Sequence, residues 1–142
     1  MVSPISEYTL LDHTADLAIQ VRGKDLKNLF ENAAMALMHI MVRGNRSGNT
    51  SSVNISLSGQ DLADLIVRWL GEVLYLLEGE SLVVSAITIR NLTTARLEAV
   101  VEVVPFDPDI HEIQSEVKAV TYHQVEVVDK GDRWEARVTF DI

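Results

Sequence analysis

The chain has 142 residues, 47% hydrophobic and 23% charged, which suits one domain spanning 1–142 with a core of its own. It contains no cysteine, which excludes disulfides, thiolate metal sites and thiol nucleophiles. Its net charge of −9 argues against direct, tight binding of nucleic acid, which needs a basic face, and suits docking on a basic protein surface or holding a cation.

The opening MVSPISEYTLLDH has no basic head followed by an apolar run, so no signal peptide is indicated. No apolar stretch reaches the ~20 residues of a membrane-crossing helix, and a cytoplasmic protein is expected. Leu17, Ile19 and Val21 alternate with Ala18, Gln20 and Arg22, the period of a half-buried strand. Gly23-Lys24 turns the chain, and Asp25 can cap a helix over roughly 25–42. Leu26, Leu29, Phe30, Ala33, Ala34, Leu37, Met38 and Met41 form the apolar stripe of that helix. The polar segment Arg43 to Ser52 reads as a surface loop.

Val53, Ile55 and Leu57 predict a second strand, after which Ser58 and Asp61 resemble a capping pair. Leu62, Leu65, Ile66, Trp69, Leu70, Val73, Leu74 and Leu77 mark a second amphipathic helix, with Gly79 as its stop. Strands follow over Leu82–Ile89, Leu97–Val104 and Val117–Val128. The last of these turns at Asp129-Lys130-Gly131-Asp132 into a final strand. There Trp134, Ala136, Val138, Phe140 and Ile142 face one way, and Arg133, Glu135, Arg137, Thr139 and Asp141 the other. Two one-sided helices and about six or seven strands are most simply buried as an α+β two-layer domain: a mostly antiparallel sheet with both helices packed on one face.

No G-x-S-x-G elbow, P-loop or G-x-G-x-x-G occurs, so a serine hydrolase or a nucleotide-cradling enzyme has no support. The four histidines, His13, His39, His111 and His123, lack the i, i+4 spacing of a helical zinc site. Carboxylates remain. Asp12, Asp16 and Asp141 adjoin strongly patterned strands. Their ordinary readings are a turn residue, a strand-start carboxylate and a solvated strand position. Asp141 stands out because the alternation runs to the last residue, which predicts a buried Ile142 and a fixed chain end. A terminal carboxylate held beside the Asp141 side chain would repel it unless a cation intervened. Hard oxygen donors favour calcium, magnesium or manganese.

The segment LDHTADLAIQVRG (11–23), the segment EVKAVTYH (116–123) and the closing FDI (140–142) together resemble the archease family, in matching order from Tyr8 to Ile142. The resemblance implies a compact α+β domain that is not an enzyme. It implies an accessory protein that promotes guanylylation and turnover of an RtcB-type tRNA-splicing RNA ligase. It also implies a divalent-cation site, usually calcium, at Asp16, Asp141 and Ile142, with Asp12 and His13 shaping it. Lys118, expected to face with Tyr122 and away from His123, becomes a candidate contact to the ligase or to a phosphate. Where many relatives have an acidic helix start, this chain has Gly23-Lys24-Asp25 followed by Lys27 and Asn28. Any partner contact at that helix start is therefore not carried over. The competing readings are a general protein-binding, chaperone-like module with a structural ion, and a metal-dependent hydrolase. The second is disfavoured because no His or Lys stands in a recognisable base position.

Overall fold

The structure, a computed structural model, describes residues 7–11 and 16–142. In chain order the elements are β1 (Tyr8–Leu11), β2 (Asp16–Gly23), α1 (Leu26–Met41), β3 (Val42–Gly44), β4 (Ser51–Ser58) and α2 (Leu62–Glu78). They continue with β5 (Leu82–Leu92), β6 (Arg96–Pro105), β7 (His111–Ile113), β8 (Ala119–Asp129) and β9 (Trp134–Asp141). Every strand pair among the described residues is antiparallel. No helix among them is long and apolar enough to cross a membrane.

The α+β class with two helices stands, but the strands divide into three sheets, ordered β1-β2-β9-β8, β4-β6-β5 and β3-β7. The helices join the two larger sheets: α1 packs on β2 and β5, and α2 on β8, β5 and β4. Their burial explains how. In α1 the buried residues include Ala36 and Ile40 beside the predicted stripe, and in α2 they include Val67 and Leu76. At 100° per residue each buried arc is about 200° wide, roughly twice what a helix lying on one surface needs. Each helix therefore meets more than one neighbour. Where they meet, the fully buried Trp69 ring fills the space and its Nε1–H donates to the Phe30 carbonyl at 2.9 Å.

Local chemistry sets the helix ends. The Asp25 carboxylate accepts from the Asn28 amide at 2.8 Å, as its cap role predicts. At α2 the cap is Asp61, accepting from the Asp64 amide at 2.8 Å. Asp64 reaches back to the Gln60 amide at 2.8 Å. Ser58 ends β4 instead of capping; the cap is Asp61, and the Asp64 carboxylate takes up the Gln60 amide. Gly79 does close α2, yet in a right-handed conformation. A Cβ there would have to displace the Tyr75 ring, which lies over the glycine.

Beyond the predicted elements, the loop 43–52 begins in β3. There His111 of β7 is buried, with Nδ1 accepting from the Asp107 amide at 2.9 Å and Nε2 2.7 Å from the Asn45 carbonyl. In β8 the register with β9 breaks between Thr121 and Glu126, and Gln124 takes φ +52°. This irregularity carries Tyr122 to α2, where its hydroxyl donates to Asp64 Oδ1 at 2.6 Å.

Candidate functional site

The site is set by the β2–β9 ladder. Its core face carries Leu17, Ile19 and Val21 opposite Phe140, Val138 and Ala136. All of these but the half-buried Leu17 are buried. A slip of one residue would turn this set away from the helices, so burial fixes the register. With Leu17 against Phe140, the next pair is Asp16 against Asp141. Directly opposed residues share a face, with Cβ atoms about 5 Å apart. The two carboxylates are thereby brought together by hydrophobic pairs one row away.

Asp141 is held from its other side too. It stands opposite Ala119 of β8, and its carbonyl accepts from the Lys118 amide at 2.8 Å. Asp16 is half-buried and Asp141 exposed. No ion pair among the described residues involves either carboxylate.

Ile142 departs from expectation. It is 51% exposed and lies beyond β9. The buried rows end at Phe140, and no described residue stands opposite Ile142 to extend them. What anchors the chain end is the backbone pairing of Asp141, not a buried last side chain. Asp12 and His13 lie outside the described residues. Lys118 is exposed and lines a cleft against α2, the same side on which Tyr122 reaches Asp64.

The alternation of β9 also hid a residue. Thr139 sits on the face predicted to be solvated, yet it is fully buried, as is Ala18 opposite it. Its Oγ1 has no hydrogen-bond partner among the described residues, while its carbonyl accepts from Thr121 Oγ1 at 2.9 Å. Thr139 shares its face with Asp141 two residues on, so an orphaned hydroxyl lies one row inward from the carboxylates. Farther along the same face the polar groups close on one another. Glu135 accepts from Arg133 Nε at 2.6 Å and from Gln20 Nε2 at 3.1 Å, and the Arg133 guanidinium holds its carboxyl below the usual range.

As a donor set, the chain end offers hard anionic oxygen from Asp16 and Asp141, with the terminal carboxylate one residue on. That chemistry fits a calcium-like cation and not a soft metal. Among the described residues no three His, Asp or Glu side chains converge as a preformed cation cage. The carboxylate pair would need the terminal carboxylate, backbone oxygen or water to complete a coordination sphere. His111 is committed to Asp107 and Asn45 and lies in a different sheet.

Comparison with known proteins gives one consistent result. The Archease protein family matches residues 8–142. The chain is 33% identical to the protein archease of Methanosarcina acetivorans and 34% identical to that of Methanosarcina barkeri, each over the full length of both chains. Its fold is similar to the solution structure of Methanobacterium thermoautotrophicum protein 1598, with TM-score 0.72 and 28% identity over 96% of this chain and 99% of that one. A crystal structure from Thermotoga maritima, described as an archease and possible chaperone, shares the fold with TM-score 0.62 at 18% identity, covering 93% of this chain and 94% of that one.

Proposed function

The chain belongs to the archease family, and from that premise we propose that it is an accessory protein, not an enzyme, that activates an RtcB-type tRNA-splicing RNA ligase. It promotes the ligase's guanylylation and so its turnover. The observation that carries the reading is the direct pairing of Asp16 with Asp141 at the chain end. These are the positions that the resemblance marks for a divalent cation, and the fold opposes them without a neutralising partner among the described residues.

In this reading Asp16, Asp141 and the terminal carboxylate of Ile142 hold calcium, with magnesium or manganese as alternatives of the same oxygen-seeking chemistry. A bound divalent ion supplies positive charge against phosphate oxygens at the nucleotide-loading step. The chain's own contribution is positional. The Leu17–Phe140 row fixes the spacing of the carboxylates, and the Lys118 amide fixes the backbone of Asp141. The resemblance assigns Asp12 and His13 a supporting role, and Lys118 offers a charge toward the ligase or a phosphate.

A guanylylation assay on the ligase with Asp16→Ala and Asp141→Ala tests the proposal. Loss of stimulation by both variants is expected, and unchanged stimulation would sink it. A second reading, a chaperone-like protein-binding module with a purely structural ion, is favoured by the same opposed carboxylates, since an ion between them would also clamp β2 to β9. In that case the variants lose thermal stability and metal binding together. Variants that stay fully folded yet inactive tell against it. A tag placed after Ile142 turns the terminal carboxylate into an amide, and full activity with such a tag would remove that group from the mechanism.

A further inference from the structure

Gly71 sits in the interior of α2, where glycine costs about 1 kcal/mol relative to alanine. Nothing inside the fold asks for it: a Cβ built there meets no atom within 4 Å. The space it leaves is the floor of a cleft of about 390 Å³ between α2 and the segment 116–118. Gly71, Leu74 and Val117 give the cleft its apolar base, and Tyr75 forms one wall with 55% of its surface exposed. Tyr75 also borders a second cleft, of about 420 Å³, on the other side of α2. It is therefore a ridge between two grooves.

The charge around this ridge is mostly negative, with Lys118 the single cation among the described residues that line the two clefts. Glu78 and Glu116 line the first cleft, and Glu72 and Glu80 line the second. The last turn of α2 holds no basic residue. Carboxylates there face the negative end of the helix dipole, an unfavourable placement. No ion pair among the described residues neutralises any of the four. Glu80 beside the Tyr75 hydroxyl raises the phenol above its ordinary pKa, with smaller contributions from desolvation and Glu72.

We propose that the cleft over Gly71 is a docking groove for a basic segment of the partner protein, with an apolar or aromatic side chain seated on Gly71 beside Tyr75 and Lys or Arg flanking it against Glu78 and Glu116. A second copy of this chain is disfavoured as occupant by its own charge of −9, and a nucleic acid by the same acidic rim. The groove runs to the candidate site, because Lys118 lines it while its amide holds the carbonyl of Asp141. A segment seated there places the partner beside the chain end. That the partner is the ligase rests on the reading above; the basic character of the segment rests on the groove alone.

The test measures the affinity of the purified ligase for the full chain and its variants. The double variant Glu78→Lys/Glu116→Lys should lose about tenfold or more in Kd, with a weaker dependence on salt than the unaltered chain. Gly71→Trp fills the cleft and should abolish binding. Gly71→Ala should raise the Tm yet weaken binding, opposite movements that misfolding cannot produce. Unaltered affinity in all of these variants would overturn the proposal. Normal binding by the cleft variants with lost stimulation in Asp16→Ala would leave the ligase reading standing and sink the groove. Lost binding in the cleft variants with full stimulation by Asp16→Ala would sustain the groove and remove the ion from the mechanism.

Discussion

The β2–β9 ladder has two ends that differ in kind. At one end Gly23 pairs with Trp134 and the chain closes on itself. Gly23 lies so near the first turn of α1 that a Cβ would stand 2.6 Å from Leu29 Cα. Asn32 Nδ2 donates to the Arg22 carbonyl at 2.8 Å, and Glu135 is satisfied by Arg133 and Gln20. At the other end Asp16 opposes Asp141, like charge against like, with Thr139 Oγ1 orphaned one row inward. Like charges directly opposed in a sheet are destabilising. The same two strands thus end once in mutual satisfaction and once in two opposed carboxylates with no ion-pair partner among the described residues. Packing accounts for the first end; the second is where the proposed cation would act.

The largest expected effect removes the row that separates the two ends. Phe140→Ala empties a fully buried site between Leu17 and Val120 and should cost about 3–5 kcal/mol in urea denaturation. It should also loosen the Asp16–Asp141 pairing, so that any ion-induced rise in Tm shrinks with it. Next comes Gly23→Ala at the closed end. The added methyl meets the Leu29 backbone, not a movable side-chain tip, and a cost of about 1–3 kcal/mol is expected. Because that end is distant from the carboxylates along the strand, the ion response should persist. Loss of both together would mean that the ends are coupled.

The closed end was largely legible in the sequence. The i, i+3, i+4 stripes located α1 and α2, Asp25 marked a cap, and the alternation of β9 assigned its core face correctly from Trp134 to Phe140. The strands β3 and β7 were not legible, because three residues carry no measurable period. Nor was the break in β8, where Gln124 gives no signal of its positive φ. The open end was legible only in part. Pattern singled out Asp141, but its meeting with Asp16 depends on register between segments more than a hundred residues apart, which only the family resemblance supplied. Pattern also erred on Ile142, since alternation says which face a residue shares but not whether that face still has a neighbour at the strand's end. Thr139 was hidden for the converse reason: its face was read as solvated and is covered.

Two smaller effects sharpen the contrast. Thr139→Val removes the orphaned hydroxyl while keeping the shape of the side chain. Relieving a buried, unsatisfied oxygen should stabilise the chain by about 1 kcal/mol in denaturant titration with a chelator present. A loss in place of that gain would mean that the hydroxyl holds a bound water or ion, which would extend the open end one row inward.

The smallest expected effect is also the most discriminating. In chelator, Asp141→Asn removes one of two opposed charges and keeps the shape, so it should stabilise the fold by a few tenths of a kcal/mol. Adding calcium should reverse the ranking. A ligand that binds only the folded state stabilises it by about 2.7 kcal/mol at a hundred times its Kd, and the unaltered chain should show that gain while the variant shows little of it. The crossing of the two stability curves with calcium is the signature, because neither a solvated aspartate nor a hydrogen-bonding one produces it. A solvated Asp141 leaves both curves flat and superimposed. An Asp141 that stabilises by hydrogen bonding makes the variant weaker in chelator as well. Only a carboxylate kept at a cost for the sake of a cation gives a variant that is better without the ion and worse with it.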